Sequence, residues 1–328
     1  MPSLKLLHRL AGGIAALALS TAIATAQDYP IKNITLIVPF AAGGPTDAVS
    51  RIIAENMQKT LGQTIVIENR LGAGGTTAST QAKEAPPDGY TLITGHMGTH
   101  AASVAMYPNL KYNPATDFEP IGMIAGTPVL ILARKDFPPK DLKEFVEYVK
   151  ANAAKLNMAH AGIGSVSDTS CLMLNALLGV KTQAIPYQGT GPAMTALVAG
   201  QVDYMCDQIV NVVPQVQAGT IKAYAVAIKS RSPALPNVPT TAEAGLPDFQ
   251  VTAWNALFAP KGTPKPIVDK LNAALSKALD DPATRKRLLD LGSELPEGQA
   301  RSSAALGELV KSEIARWTPI IKAARPTN

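Results

Sequence analysis

The chain has 328 residues, of which 46% are hydrophobic and 17% are charged, and its formal net charge at pH 7 is +5. This positive charge is small and dispersed, and no run of Lys and Arg with interleaved aromatic residues occurs, so the composition argues against a nucleic-acid-binding protein. The length favours two domains of ordinary size, each able to bury a core.

The N-terminal segment, residues 1–26, has the pattern of a secretory signal. Lys5 and Arg9 form a basic start, residues 10–23 form an apolar run, and residues 24–26 form a small-x-small cleavage site. The run is too short for a membrane span, and the cleavage site disfavours the alternative of a retained membrane anchor. We therefore predict a mature chain that begins at Gln27 and is exported to the periplasm.

Short apolar segments rich in β-branched residues alternate with segments of helical period along most of the remaining chain. Strands are predicted at residues 34–38, 64–67, 91–93, 129–133, 157–160, 183–186, 202–206 and 222–228. Helices are predicted at residues 46–60, 75–84, 141–152, 167–178, 191–199 and 208–218. This alternation predicts doubly wound, largely parallel sheets. Two later apolar stripes, behind Pro264 and from Leu306 to Ile321, are interpreted as the core faces of C-terminal helices.

The first candidate site is the glycine-rich loop after the first predicted strand. A helix N-terminus presents free backbone N–H groups and a positive dipole end, so such a loop suits an anion. The loop lacks the lysine of a phosphate-binding P-loop and the spaced glycines of a dinucleotide site, so a carboxylate fits better than a nucleotide. The alternative is a plain turn in which Thr46 or Asp47 caps the helix. The candidate ligand-binding residues of this loop are Phe40, Gly43, Gly44, Thr46 and Asp47.

A second loop, at residues 161–169, has the same construction of glycines and hydroxyls before a helix. Its sequence is not the nucleophile elbow of a serine hydrolase, which would also need a His base and an acid. Two such loops in different halves of an α/β chain suggest a ligand that is held from both sides. The candidate residues here are Gly164, Ser165, Ser167 and Thr169.

Other candidates are supported by less evidence. His96 and His100 have a spacing that suits a metal on a helix, but the neighbouring glycines oppose a helix and no third ligand lies close in sequence, so no metal site is predicted. Tyr187 precedes a predicted helix and Asp207 follows a predicted strand, where open α/β sheets place ligands. Ordinary turn chemistry and helix capping explain both positions equally well.

The chain has two cysteines, Cys171 and Cys206. In an exported protein they could form a single disulfide. Two buried thiols that behave as small apolar residues are an equally good interpretation, and the sequence leaves both open.

Several of these motifs together resemble the substrate-binding proteins of tripartite tricarboxylate transporters, the Bug (Bordetella uptake gene) family. The resemblance extends from about Tyr29 to Trp317. The matching elements are Pro39-Phe40 with Gly43-Gly44 and Asp47, Glu68-Asn69-Arg70, Pro87-Asp88-Gly89-Tyr90, Gly98-Thr99-His100, Pro186-Tyr187, Gly191-Pro192 and Pro236-Asn237-Val238-Pro239.

The resemblance implies an α/β periplasmic binding protein of two domains with mixed, mainly parallel sheets that closes on its ligand like a Venus flytrap. Domain 1 would comprise residues 27–127 and 252–328, and domain 2 residues 128–251. The family's two loops, which match residues 39–47 and 161–169, hold one carboxylate, partly through ordered waters. A monomer without a cofactor or enzymatic activity would then deliver the carboxylate to the permease subunits of a membrane transporter.

Two departures from the family pattern bear on the ligand. The second loop continues as Ser165-Val166-Ser167-Asp168 where Ser-x-x-His is common, and Gly95-His96-Met97 replaces smaller polar residues. Because Met and His can line a flat slot and added hydroxyls can meet a second carboxylate, an aromatic dicarboxylate such as terephthalate is one hypothesis. Citrate-like acids, aliphatic dicarboxylates and aromatic monocarboxylates are the alternatives. The wall candidates are His96, Met97, Thr99, Tyr187, Asp207 and Trp254.

Two other functions stay open at this point. A sensory binding protein would present the ligand to a membrane receptor instead of a permease. An exported serine hydrolase would use Ser165 or Ser167 with a histidine such as His96 or His100.

Overall fold

The computed structural model describes residues 29–325. The predicted signal segment and its cleavage site lie outside these residues, so both stay predictions. Within the described part, no helix is long and apolar enough to cross a membrane.

The described chain alternates between strands and helices as predicted. The strands are β1 Ile34–Val38, β2 Ile65–Asn69, β3 Thr91–His96, β4 Phe118–Arg134, β5 Asn157–His160, β6 Gln183–Pro186, β7 Tyr204–Gln208, β8 Ile221–Val226 and β9 Thr252–Pro260. The helices are α1 Pro45–Leu61, α2 Thr76–Lys83, α3 Ser103–Met106, α4 Leu142–Asn152, α5 Val166–Leu178, α6 Thr190–Val198, α7 Ile209–Gln217, α8 Lys265–Asp280, α9 Pro282–Asp290 and α10 Ser303–Ala324. Short 3₁₀ turns occur at Ala73–Gly75, Ala153–Lys155 and Gly298–Arg301, and a π turn at Gly98–Ala102. The predicted α/β architecture is therefore confirmed.

The strands form a mixed sheet in the order β2-β1-β3-β9-β4-β7-β5-β6, and β8 also pairs with β4. β1 is parallel to β2 and β3, and β5 is parallel to β6 and β7. Every pairing of β4 or β9 is antiparallel. Among the described residues the sheet is therefore mixed, with four parallel and four antiparallel pairings, and is not largely parallel as the alternation predicts. The parallel groups fit βαβ crossovers, whereas β4 and β9 join the two groups.

β4 is the long strand that connects the two halves of the sheet. Its first part, Phe118 to Pro128, pairs with β9, and its last part, from Val129, pairs with β7 and β8. Its register along β9 shifts twice, between Pro120 and Gly122 and between Met123 and Ala125. The predicted domain boundaries at 127/128 and 251/252 fall on this strand pair, and the division itself stays a prediction.

The two C-terminal apolar stripes are buried as predicted. Leu271 and Leu275 of α8 and Trp317 and Ile321 of α10 are at most 2% exposed. A helix with one buried apolar stripe is stabilised mainly by packing of that face against the sheet.

Cys171 of α5 and Cys206 of β7 form a disulfide, with Cα atoms 5.5 Å apart. This geometry decides between the two interpretations that the sequence leaves open. The bond ties the helix that follows the second loop to the strand beside it.

Candidate functional site

The two glycine-rich loops are built in the same way. We call residues 39–44, between β1 and α1, the first loop, and residues 161–165, between β5 and α5, the second loop. In the first loop Gly43 N–H donates to Asp47 Oδ2 at 3.1 Å, and in the second Gly164 N–H donates to Asp168 Oδ2 at 2.8 Å. Each Asp is the third residue of its helix. The carboxylate thereby fixes the turn that aims the helix N-terminus at the space between the loops.

Asp47 is held away from that space by three partners. Asn69 Nδ2 donates to its Oδ1 at 2.9 Å, Arg51 Nε donates to its Oδ2 at 2.9 Å, and Gly43 supplies the third bond. Burial alone would raise the pKa of Asp47, but the hydrogen bonds from Arg51, Asn69 and Gly43 lower this pKa overall. The Asp47 carboxylate is therefore ionised, and both of its oxygens already accept hydrogen bonds. Its role is to orient the loop.

A small cavity lies between the two loops. Its lining residues are Phe40, Gly44, Pro45, Thr46, His96, Ala161, Ser165, Val166, Ser167, Thr190 and Gln208. None of them carries a formal charge, so any anion held here would be stabilised by dipoles and hydrogen-bond donors.

The helix N-termini supply such donors. α1 begins with Pro45, which has no N–H, and the next amides, of Thr46 and Asp47, have no acceptor within residues 29–325. The amides of Val166 and Ser167 at the start of α5 likewise lack an acceptor there. Four free N–H groups at two positive helix ends can therefore converge on one anion.

The hydroxyls of the second loop are engaged in the loop itself. Ser165 Oγ caps α5 by accepting from Asp168 N–H at 3.2 Å, and Ser167 Oγ accepts from Ala161 N–H at 2.9 Å. The two hydroxyl oxygens lie 3.1 Å apart. Within the described chain neither serine has a histidine as its hydrogen-bond partner.

His96 is a neutral donor at the cavity wall. Its Nδ1 accepts from Gly98 N–H at 2.8 Å and from Thr99 N–H at 3.2 Å, so the ring proton must reside on Nε2. Burial lowers the pKa of His96 to about 4, which keeps the ring uncharged. The ring stacks on Phe40, with centroids 4.9 Å apart, and together they form a flat aromatic wall.

Gln208 is a lining residue that the sequence prediction missed. Its Oε1 accepts from Thr127 Oγ1 at 2.6 Å and from Asn255 Nδ2 at 3.0 Å. The strand-end position was the available signal, but it led to the neighbouring Asp207. That carboxyl instead faces Asn211 Nδ2 and the Gln208 amide, and burial raises its pKa to about 7.

The structure brings only part of the predicted site to the cavity. Phe40, Gly44, Thr46, His96, Ser165 and Ser167 line it, whereas Gly43, Asp47, Met97, Thr99, Gly164, Thr169, Tyr187, Asp207 and Trp254 do not. Met97 is fully buried in the hydrophobic core. Trp254 Nε1 donates to Glu313 Oε2 at 3.3 Å, and Tyr187 lines a neighbouring pocket instead. Besides Gln208, the prediction missed Pro45, Ala161, Val166 and Thr190. Ligand contact by any of these residues stays a prediction.

The predicted domains touch across the mouth of the cavity. Tyr107 Oη lies 2.8 Å from Ala73 O and 2.7 Å from Ile163 O, and so bridges the 3₁₀ turn and the second loop. Ala41 N–H of the first loop donates to Gln188 O at 3.0 Å. These contacts describe a closed arrangement of the two loops.

Comparison with known proteins shows which family the chain is similar to. A family model described as tripartite tricarboxylate transporter family receptor (TctC) matches residues 49–325. A UPF0065 protein of Agrobacterium vitis is 45% identical over 303 residues, covering 92% of this chain and 87% of that protein. The structure of MatC from Rhodopseudomonas palustris with bound malate is 57% identical, with a TM-score of 0.88 over 89% of this chain and 100% of that one. The periplasmic binding protein BugD is 46% identical, with a TM-score of 0.87 over 90% of this chain and 98% of that one. The similarity therefore extends over whole proteins and is not confined to one motif.

Proposed function

Because the chain belongs to the TctC family of tripartite tricarboxylate transporter receptors, we propose that it captures a small carboxylate in the periplasm and delivers it to the permease subunits of such a transporter. The match to BugD confirms the resemblance to the Bug family and the fold class of a two-domain periplasmic binding protein. Export as a monomer through the N-terminal signal is part of the proposal.

The observation that carries this proposal is the pair of helix N-termini that face one cavity with free amides. A carboxylate has two oxygens and up to four lone-pair directions, so it can accept from α1 and α5 together. Charge-assisted bonds of this type are about twice as strong as neutral ones, and burial on closure strengthens them further. Binding in this way requires neither Arg nor Lys at the cavity.

The ligand class that we favour is a small aliphatic dicarboxylate. The supporting observation is that MatC, which is 57% identical to this chain, has bound malate. The aromatic alternative, terephthalate, is supported by the stacked pair of Phe40 and His96 alone, since Met97 does not reach the cavity. One series of ligands can distinguish the aliphatic from the aromatic dicarboxylate.

The test is a thermal-shift series on the purified chain from Gln27 onward, with malate, succinate, adipate, citrate, benzoate and the phthalate isomers. A ligand at 100 times its Kd stabilises the folded state by about 2.7 kcal/mol, which raises the melting temperature by roughly 5 °C for a chain of this size. Stabilisation confined to aliphatic diacids supports the proposal, and stabilisation by terephthalate alone supports the aromatic alternative. If no carboxylate changes the melting temperature, the proposed function is wrong.

A further inference from the structure

Gln208 presents a fixed pair of hydrogen-bond donors to the cavity. The residue is 4% exposed and borders the cavity, on the side where β7 meets β4. Both lone pairs of its Oε1 are used, by Thr127 Oγ1 and Asn255 Nδ2. Its Nε2 has no acceptor among residues 29–325. Amide hydrogens that border the cavity without a protein acceptor are free to donate to a ligand oxygen.

The partners of Gln208 come from the strands that join the two halves of the sheet. Thr127 lies on β4 and Asn255 on β9, and Asn255 Nδ2 also contacts Thr127 Oγ1 at 3.2 Å. Both residues are fully buried. Since neither hydroxyl nor amide can move freely there, the Gln208 carboxamide is held in one orientation before any ligand arrives.

The other charged or titratable groups near Gln208 do not compete for its donors. Asp207 is engaged by Asn211 and by the Gln208 backbone amide, and His96 is held as a donor by two backbone amides. In the proposed function the free helix amides hold one carboxylate. The Gln208 amide is then a further donor at the same cavity.

We propose that Gln208 recognises the second carboxylate of a dicarboxylate ligand through its Nε2 amide, with Thr127 and Asn255 as positioning residues. This inference rests on the proposed function and adds the residue that distinguishes a dicarboxylate from a monocarboxylate. The first carboxylate is held by α1 and α5.

The test compares succinate with butyrate, in which a methyl group replaces one carboxylate, by isothermal titration of the wild type and three variants. Gln208→Met keeps the side-chain length and removes the donors. Because a hydrogen bond to a charged group is worth about 10- to 100-fold in affinity, we expect that loss for succinate and less than about a threefold change for butyrate. Thr127→Val keeps the shape of the side chain and frees the carboxamide, and we expect a loss for succinate of about 3- to 10-fold.

The matched control is Gln183→Met, the same replacement at an exposed position of β6, which should bind both acids like the wild type. If Gln208→Met weakens succinate and butyrate equally, or leaves succinate unchanged, Gln208 does not recognise the second carboxylate, and the proposed function still stands. If the wild type prefers butyrate or binds neither acid, the inference about Gln208 is wrong. The thermal-shift series described above then decides whether the proposed function is wrong as well. If Gln208→Met does not fold, Gln208→Asn takes its place. Asn keeps the amide but is one methylene shorter, so its donors lie farther from the cavity.

Discussion

Closure of the two loops depends on a glycine that does not line the cavity. Gly74, in the 3₁₀ turn after β2, has φ 60° and ψ 25°, the left-handed region that favours glycine. A Cβ atom added there would lie 1.9 Å from Ile163 O and 3.2 Å from Tyr107 Oη. Real Cβ atoms essentially never come within 3.0 Å of another heavy atom, so the turn and the second loop would have to separate by about 1 Å.

We therefore predict that Gly74→Ala weakens ligand binding much more than it weakens the fold. The left-handed backbone costs an alanine about 1 kcal/mol in any conformation. The clash exists only when the loops are closed, and a closing penalty of about 2.7 kcal/mol would lower the apparent affinity about 100-fold. Isothermal titration with the best ligand of the thermal-shift series measures the affinity, and urea unfolding of the ligand-free chain measures the stability.

The matched control is Gly62→Ala at the end of α1. Gly62 has φ 71°, and nothing lies within 4 Å of an added Cβ atom, so this variant carries the same backbone cost without the clash. We expect a similar loss of stability and an unchanged affinity. Equal affinities for Gly74→Ala and Gly62→Ala would refute the argument that the bound state requires this close approach.

Three further predictions concern single contacts or groups. Tyr107→Phe removes the hydroxyl that bridges Ala73 O and Ile163 O, so affinity should fall about 5- to 10-fold with little change in unfolding free energy; an unchanged affinity would show that the bridge does not support closure. Replacing both Cys171 and Cys206 by Ala opens a link across 35 residues, which should cost about 3–4 kcal/mol in urea unfolding, and wild-type protein in reducing agent should behave alike. The pKa of His96 is about 4 in the folded chain and 6.5 in the unfolded chain, so between these pH values the unfolded chain binds a proton that the folded chain does not. The free energy of unfolding should therefore fall by about 2–3 kcal/mol as the pH falls from 7 to 4.5. The His96→Gln variant should not show this part of the loss.

The sequence predicts well those helices and strands that have a clear pattern within their own residues. The predicted bounds of α1 and β1 agree with the observed bounds to within one residue. The first part of β4 was missed because Pro120, Gly122 and Gly126 interrupt it, and these residues usually mark turns or bulges. β9 was missed because its run lacks both a β-branched bias and period-2 alternation, since both of its faces are buried.

In the candidate site, too, features with a local sequence pattern could be predicted, and features that depend on tertiary contacts could not. Glycines and hydroxyls at a helix start are a local signal, so the amino-acid sequence alone is sufficient to predict both loops. Gln208 and Thr190 join the cavity through tertiary approach. The strand end at Asp207 and the Gly191-Pro192 turn lie next to them in sequence, but neither signal singles out these two side chains. Met97 and Trp254 were chosen for the chemistry of their side chains, but packing directs the first into the core and the second toward Glu313.

The direct polar contacts across the mouth of the cavity are individually weak. They include the Tyr107 hydroxyl, the backbone hydrogen bond from Ala41 to Gln188 and an ion pair between Arg325 and Asp168 at 3.6 Å. Each of the two hydrogen-bonding contacts is worth only about 0.5–1.5 kcal/mol net. Without a ligand, closure would leave the free amides at α1 and α5 buried and unpaired, which opposes it by a comparable amount. A carboxylate reverses that balance because it satisfies amides from both loops at once, so the differential affinity for the closed state resides in the ligand. In the proposed function, a closed state that depends on the ligand lets the permease distinguish occupied from empty protein by its shape.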